Sequence, residues 1–235
     1  MVDQDPKTPR ERYRAQVREE IKEHAWEQIA TAGATALSLN AIAKQMGLSG
    51  PALYRYFAGR DELITELIRD AYRSLADTFR ATTAASGTAS PDLTALAHAL
   101  RDWALADPHR YFLIYGTPIP GYHAPDDTTA IAAEIMATLL DACAALPDYA
   151  PPVPFDAHLA EHRQWAGDHP APPAVLHRAL TVWTRLHGLL SLEAAGQFTG
   201  MGFDPARFYE AELHDLLRGG PVGAADGKPR SAAAG

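Results

Sequence analysis

Between Leu37 and Phe57 the chain reads LSLNAIAKQMGLSGPALYRYF, and few folds accommodate such a run. Ser38 can cap a helix by accepting from a first-turn amide. Leu39, Ile42, Ala43 and Met46 then recur at helical spacing and give one apolar face. Gly47 stands where a left-handed residue ends a helix, and Leu48 can fold back onto that face. Ser49 offers a second cap, and Pro51 lies in a first turn, where a missing amide hydrogen costs little. Leu53 and Phe57 point inward from the second helix. Ser49, Gly50, Ala52, Tyr54, Arg55 and Tyr56 point outward. Two short helices about one sharp turn are the outline of a helix-turn-helix, which sets a helix end in the major groove of DNA. Small residues allow close approach to base edges, and tyrosine hydroxyls suit phosphate oxygens.

Tyr54-Arg55-Tyr56-Phe57 followed by Arg60-Asp61-Glu62-Leu63 resembles the YxxF…K-x-x-L signature of the tetracycline-repressor (TetR) family of bacterial regulators. Ile42 to Ser49 is similar to that family's IAxxxGVS segment, and the likeness extends over about Val17 to Phe79. Arg60 stands where the family usually has lysine; both are cations suited to a phosphate. Gly50-Pro51 leaves few side chains able to read bases, which shifts weight onto Asn40, Ser49 and the tyrosines. The resemblance implies operator-DNA contacts from Ser38, Asn40, Lys44, Ser49, Gly50, Pro51, Ala52, Tyr54, Arg55, Tyr56 and Arg60.

A net charge of −8 looks unsuited to a DNA-binding protein until it is divided. Residues 1–60 carry nine Lys or Arg against seven Asp or Glu, and residues 61–235 carry twelve against twenty-two. The acidic excess therefore lies wholly outside the proposed DNA head. Arg10, Arg12, Arg14 and Arg18 stand at or before the start of the first helix, where an arm can follow the phosphate backbone. One cysteine, Cys143, excludes an intrachain disulfide framework and agrees with a cytoplasmic location. No apolar run approaches the ~20 residues of a membrane span, and no charged-then-apolar leader opens the chain.

Helical periodicity continues throughout, so the expected fold is all-α: a three-helix head followed by a helical ligand-binding and dimerisation domain. Val17, Ile21, Ala25 and Ile29 form the stripe of a first helix ending near Gly33. The expected organisation is a disordered basic arm (1–12), the DNA-binding head (13–62), a connecting helix and linker (63–90), the second domain (91–219) and a disordered tail (220–235). Thr82 to Ser90 is small and polar and reads as linker. Later helices are expected at about 91–107, 108–115, 127–146, 155–167, 172–195 and 205–219.

In the second domain, Tyr115-Gly-Thr-Pro-Ile-Pro-Gly-Tyr122 and Trp183-Thr-Arg-Leu-His187-Gly188 resemble a TetR subgroup marked by a Trp…His-Gly motif. That likeness implies an effector-binding, dimerising domain for an unidentified apolar or aromatic small molecule. Trp183 and His187 are four apart and share a helix face, while Gly188 would let another helix approach. Trp103, Tyr111, Tyr115, Met136, Leu140, Cys143, Trp183 and His187 are the candidate pocket lining, though ordinary core packing is the commoner role of any one such residue. The 172–195 helix is apolar on more than one side and needs two partners. Val182, Leu189 and Leu192, with Phe208, Leu213, Leu216 and Leu217, are the candidate homodimer interface.

Other chemistries find little support. His158 and His162 lie four apart with His169 beyond, a spacing compatible with zinc, but no cysteine or HExxH context accompanies them. There is no GxSxG, phosphate-binding loop or dinucleotide fingerprint. No catalytic residue, metal or cofactor is assigned. The expected function is a ligand-responsive regulator, a repressor that releases its operator when a small molecule binds, with an activator of the same fold as the alternative. A helical enzyme or interaction module is the remote one.

Overall fold

The computed structural model describes residues 8–87, 90–123, 125–147 and 152–218, the side chains of 126 and 127 excepted. Among them are ten α-helices and no strand: α1 (Pro9–Ala32), α2 (Leu39–Gln45), α3 (Gly50–Leu53), α4 (Arg60–Ser86), α5 (Leu93–Ala106), α6 (Pro108–Tyr115), α7 (Asp126–Ala144), α8 (Pro154–Glu161), α9 (Pro173–Ala194) and α10 (Pro205–Leu217). Short 3-10 turns occupy Ala34–Ala36 and Gln164–Ala166. No described helix is long and apolar enough to cross a membrane.

The chain divides into two compact units, Met1–Asp77 with Trp103–Ala132, and Thr78–Asp102 with Ala133–Gly235. This division departs from the boundaries expected at 62 and 91, because residues 103–132 group with the head. Two further expectations are corrected. Residues 9–12 of the expected arm are helical, since Thr8 and Glu11 form a reciprocal capping box: Glu11 N donates to Thr8 Oγ1 (3.3 Å), and Thr8 N donates to Glu11 Oε2 (2.7 Å). The expected linker begins late: α4 persists to Ser86, and the hydroxyls of Thr82, Thr83 and Ser86 turn back onto the helix's own carbonyls. Residues 1–7 of the arm and the 220–235 tail lie outside the described residues.

In the first unit, Val17, Ile21, Ala25 and Ile29 are the buried stripe of α1, which stops at Gly33 with φ +80°. Ser38 caps α2, its Oγ accepting from Ala41 N at 3.4 Å, while its own amide donates to Gln28 Oε1 at 2.9 Å. At the far end of α2, Leu48 N donates to Ala43 O (2.8 Å) and Gly47 N to Lys44 O (3.3 Å), with Gly47 at φ +67°. That pair of bonds is a Schellman close, and it turns the chain into α3. Leu53 and Phe57 are fully buried among Ile21, Ile42, Leu63, Ile64 and Leu67. Each such burial contributes roughly 1.5–3 kcal/mol.

The segment after α5 packs on this same core. Leu113, Ile114, Ile119 and Tyr122 lie half-buried against it, and Tyr122 Oη bonds Thr65 Oγ1 of α4 at 2.9 Å. Gly116 ends α6 where a Cβ would meet Phe112 O at 2.4 Å, so the backbone there excludes any side chain.

In the second unit, α9 buries Val175, Leu176, Ala179, Val182, Leu186, Leu189 and Leu190, and α10 buries Tyr209, Leu213 and Leu216. Tyr209 Oη donates to Ala97 O of α5 (2.7 Å), Arg101 pairs with Glu193 (Nε to Oε2, 3.1 Å), and Arg185 pairs with Glu212. Arg178 donates to Cys143 O (2.9 Å), Leu146 O (3.2 Å) and Pro147 O (2.9 Å), closing the carbonyl end of α7. Burial pushes the Cys143 thiol up to about 12. Trp183 and His187 are in ring contact, centroids 4.0 Å apart and planes tilted by 53°, and burial pulls the His187 pKa down to about 4. At Gly188 an added Cβ would meet nothing within 4 Å, so the close helix approach expected there is not made among the described residues.

Two stability measurements test this description. Gly47→Ala forces a Cβ into a left-handed residue and should cost about 1–2 kcal/mol. Gly50→Ala, whose Cβ would meet only Asn40 Oδ1 at an ordinary 3.6 Å, should cost far less. Equal losses in denaturant unfolding would contradict the Schellman close. His187 is neutral when folded, so the unfolded chain binds more protons below pH 6.5. Its contribution is complete above pH 6.5 and is lost as pH falls through 6.5 towards 4, amounting to about 3 kcal/mol at the acid end. His187→Gln should therefore flatten the stability–pH curve over that interval, and an unchanged curve would show the imidazole to be solvated.

Candidate functional site

The outward side of the α2–α3 turn carries most of the residues expected to meet DNA. Asn40, Lys44, Ser49, Pro51, Tyr54 and Arg55 are exposed, and Tyr54 retains 49% of its free surface. Gly50 and Ala52 are half-covered, and Gly50 lies beneath the Asn40 amide. Ser49 makes no side-chain capping bond, in contrast to the expected second cap. Tyr56 is only partly outward, because its ring packs against the head core. Ser38 is occupied by the capping bonds described above.

Three arginines are engaged differently from what their charge suggested. Arg60 donates from Nη2 to Ala34 O (2.9 Å) and Thr35 O (3.3 Å), tying the start of α4 to the 3-10 turn. Its guanidinium is committed to backbone carbonyls, and a phosphate would have to share it. Arg14 donates to Arg55 O at 3.1 Å, and Arg18 donates to Tyr56 O while its guanidinium lies 4.1 Å from the centre of the Phe57 ring. Of the four cations expected as an arm, Arg10 and Arg12 stay exposed with no such bond to residues 50–57, on the same helical turns as Tyr13, which keeps 64% of its surface. Tyr13 was not singled out from the sequence; its signal was an aromatic among arginines at the exposed start of a helix.

The eight expected pocket residues fall in different units. In the first, Trp103 donates to Ser74 Oγ (3.0 Å), and Tyr111 and Tyr115 lie 5.5 Å apart, with Tyr72 6.0 Å beyond Tyr115. Burial holds the Tyr111 phenol up at about 12 and that of Tyr115 well above the usual range. In the second unit, Leu140 and Cys143 are fully buried and Met136 half-buried. Trp183 there lines an apolar void of about 10 Å³ with Phe79, Leu96, Leu100, Leu139 and Leu186. That is room for one water-sized body, in walls that are almost entirely apolar.

The expected dimer residues separate just as clearly. Val182, Leu189, Leu213 and Leu216 are buried by their own chain and so leave nothing for a second copy. Leu192 and Phe208 remain exposed at 46% and 41%, and Leu217 is half-covered. Met201 and Phe203 are exposed as well, and Phe198, Phe203 and Phe208 contact one another with centroids 5.3–6.2 Å apart. Sequence periodicity gave the apolar faces of α9 and α10 but not which face the chain itself covers. His158 and His162 stack on the outside of α8, while His169 pairs with Asp141 at 3.0 Å, so the three histidines do not converge. Among the described residues no group of three or more His, Cys, Asp or Glu side chains could hold a metal ion.

Comparison with known proteins gives a consistent picture. Residues 21–67 match the family described as bacterial regulatory proteins, tetR family, and residues 93–216 match the tetracyclin repressor-like C-terminal domain. The HTH-type transcriptional regulator Rv1816 of Mycobacterium tuberculosis (H37Rv) is 38% identical over 217 residues, 87% of this chain and 92% of that protein. Mb1846 of Mycobacterium bovis, also an HTH-type transcriptional regulator, matches to the same extent. The crystal structure of SCO4313, described as a regulatory protein, is 74% identical, with a TM-score of 0.80 over 89% of this chain and 99% of that one. A Rhodococcus sp. RHA1 protein of unknown function shares the fold at 21% identity, with a TM-score of 0.61 over 86% of this chain and 94% of its own. With both halves matched and a curated relative aligned along most of its length, the chain belongs to the TetR family of transcriptional regulators.

Proposed function

We propose that this regulator is a repressor that binds operator DNA as a homodimer and releases it when an apolar small molecule enters its second unit. One observation carries the reading: Lys44, Ser49, Pro51, Tyr54 and Arg55 stand exposed on a turn whose underside is pinned by fully buried Leu53 and Phe57. A helix end held this way is rigid enough to present side chains to a groove. Asn40, Ser49 and Tyr54 are the candidate base-edge readers, and Lys44 and Arg55, with Arg10 and Arg12, the phosphate contacts.

Dimerisation follows from what DNA recognition asks. Two recognition segments must sit about 34–36 Å apart to meet successive major grooves. The exposed apolar residues Leu192, Phe208, Met201 and Phe203, with the open surface at Gly188 one turn before Leu192 on α9, are the proposed mating face. A stable obligate interface would bury roughly 2,000 Å² or more.

Effector coupling would run along α4, which starts at Arg60 in the head and carries Phe79 in the wall of the apolar void. A ligand shifts DNA affinity only by its differential affinity for the two arrangements of that helix. The void is too small for any effector as it stands, so binding must widen it, and a wall that is almost entirely apolar selects an uncharged molecule.

Two measurements test the proposal. Wild-type protein should bind a duplex taken from its own upstream DNA, with affinity falling as salt rises by about 0.9 log units per log unit for each phosphate neutralised. Tyr54→Ala should weaken that binding at least tenfold, and a chain indifferent to all duplexes at low salt overturns the reading. Trp183→Ala should admit the uncharged probe N-phenyl-1-naphthylamine, seen as enhanced fluorescence, with operator affinity unaltered. A dark, properly folded variant removes the void from the effector site.

A further inference from the structure

We propose that Arg14 and Arg18 of α1 form a clasp on the carbonyl end of the recognition segment, and so set base discrimination rather than phosphate affinity. The inference rests on the operator-binding reading above and deepens it.

The need for a clasp is local. α3 is four residues long, far below the length at which a helix sustains itself. Its exit narrows into i−3 bonds, Arg55 N to Ala52 O (3.3 Å) and Tyr56 N to Leu53 O (2.8 Å). The carbonyls of Arg55 and Tyr56 lie past the end of the helical ladder. A helix end leaves such groups to be satisfied by side chains or by water.

Two guanidinium groups meet them. Arg14 and Arg18 are one helical turn apart on α1, and they donate to consecutive carbonyls, those of Arg55 and Tyr56. A positive charge at a helix carbonyl end also has the favourable sign for the helix dipole. Arg18 is further fixed by Glu66 (3.2 Å), by Glu62 (3.8 Å) and by the face of Phe57. Glu62 in turn accepts from Ala58 N at 2.5 Å, so the exit turn is held from both sides.

The functional consequence concerns where Tyr54 and Arg55 point. Both side chains leave the backbone within one residue of a clasped carbonyl. Loosening the clasp lets them wander by distances comparable with a hydrogen bond, which erodes base-edge readout but leaves the charge near the phosphates in place. A phosphate contact would behave in the opposite way, weakening all sequences alike and lowering the salt slope.

The test uses full-length protein with Arg14→Ala, Arg18→Ala and the conservative Arg18→Lys. Affinity is measured by fluorescence anisotropy for the chain's own upstream duplex and for a scrambled duplex of equal length and composition, across a salt series. Amide hydrogen exchange is followed at Tyr54 to Phe57. The expected result is about a tenfold loss of preference between the duplexes, an unchanged salt slope, exchange at least tenfold faster in that segment with Ile21 and Ala25 unaffected, and partial rescue by lysine. Equal weakening on both duplexes, with the slope reduced by about 0.9 per substitution, overturns the clasp in favour of phosphate contact. Unchanged exchange overturns it as well. If wild-type protein prefers neither duplex, the operator reading fails, and the exchange data alone then decide the clasp. Should Arg18→Ala not fold, the exposed Arg14→Ala carries the comparison.

Discussion

Everything about the α2–α3 turn depends on two side chains, Leu53 and Phe57, being wholly removed from water. A four-residue helix has almost no stability of its own. It exists because its inner side is continuous with the core made by α1, α2 and α4, so that the tertiary contacts supply what the hydrogen-bond ladder cannot. The sharp turn at Gly47, the cap at Ser38 and the guanidinium bonds from α1 all act on top of that burial, each refining a position that the apolar contacts have already approximated.

The head shows what a sequence can and cannot convey. Val17, Ile21, Ala25 and Ile29 announce α1 because one residue per turn must be apolar, and Gly47 announces the end of α2 because few other residues adopt its dihedrals cheaply. Charge is less legible. Arg14, Arg18 and Arg60 look like phosphate ligands in a linear reading, yet each donates to a backbone carbonyl brought near by the fold. Nothing local distinguishes the two roles, because both want a long cation at the rim of a helical head. The same limit applies at the start of α1. Polar, arginine-rich residues 9–12 read as an arm, and only the reciprocity of Thr8 and Glu11 makes them helix.

The second unit was legible in its helices and not in its surfaces. Periodicity shows that α9 is apolar on more than one side, but which side its own chain covers depends on where α10 lies. Val182 and Leu189 were therefore placed on an interface that the protomer itself fills. The aromatic residues expected around one pocket divide between two units, because similar composition in sequence says nothing of which neighbours a helix keeps. Trp183 and His187 are the exception. Their four-residue spacing alone put the rings together, and the rings are indeed in contact.

Cys143 carries a practical consequence. It is the sole thiol in the chain, and its burial holds it so far from the thiolate form that maleimides at neutral pH would pass it by. Reporter cysteines can therefore be placed on the exposed surface of α3 or α1 without first replacing the native residue. In the homodimer proposed above, spin-label or dye separations between the two heads would then measure directly whether a candidate ligand changes their spacing.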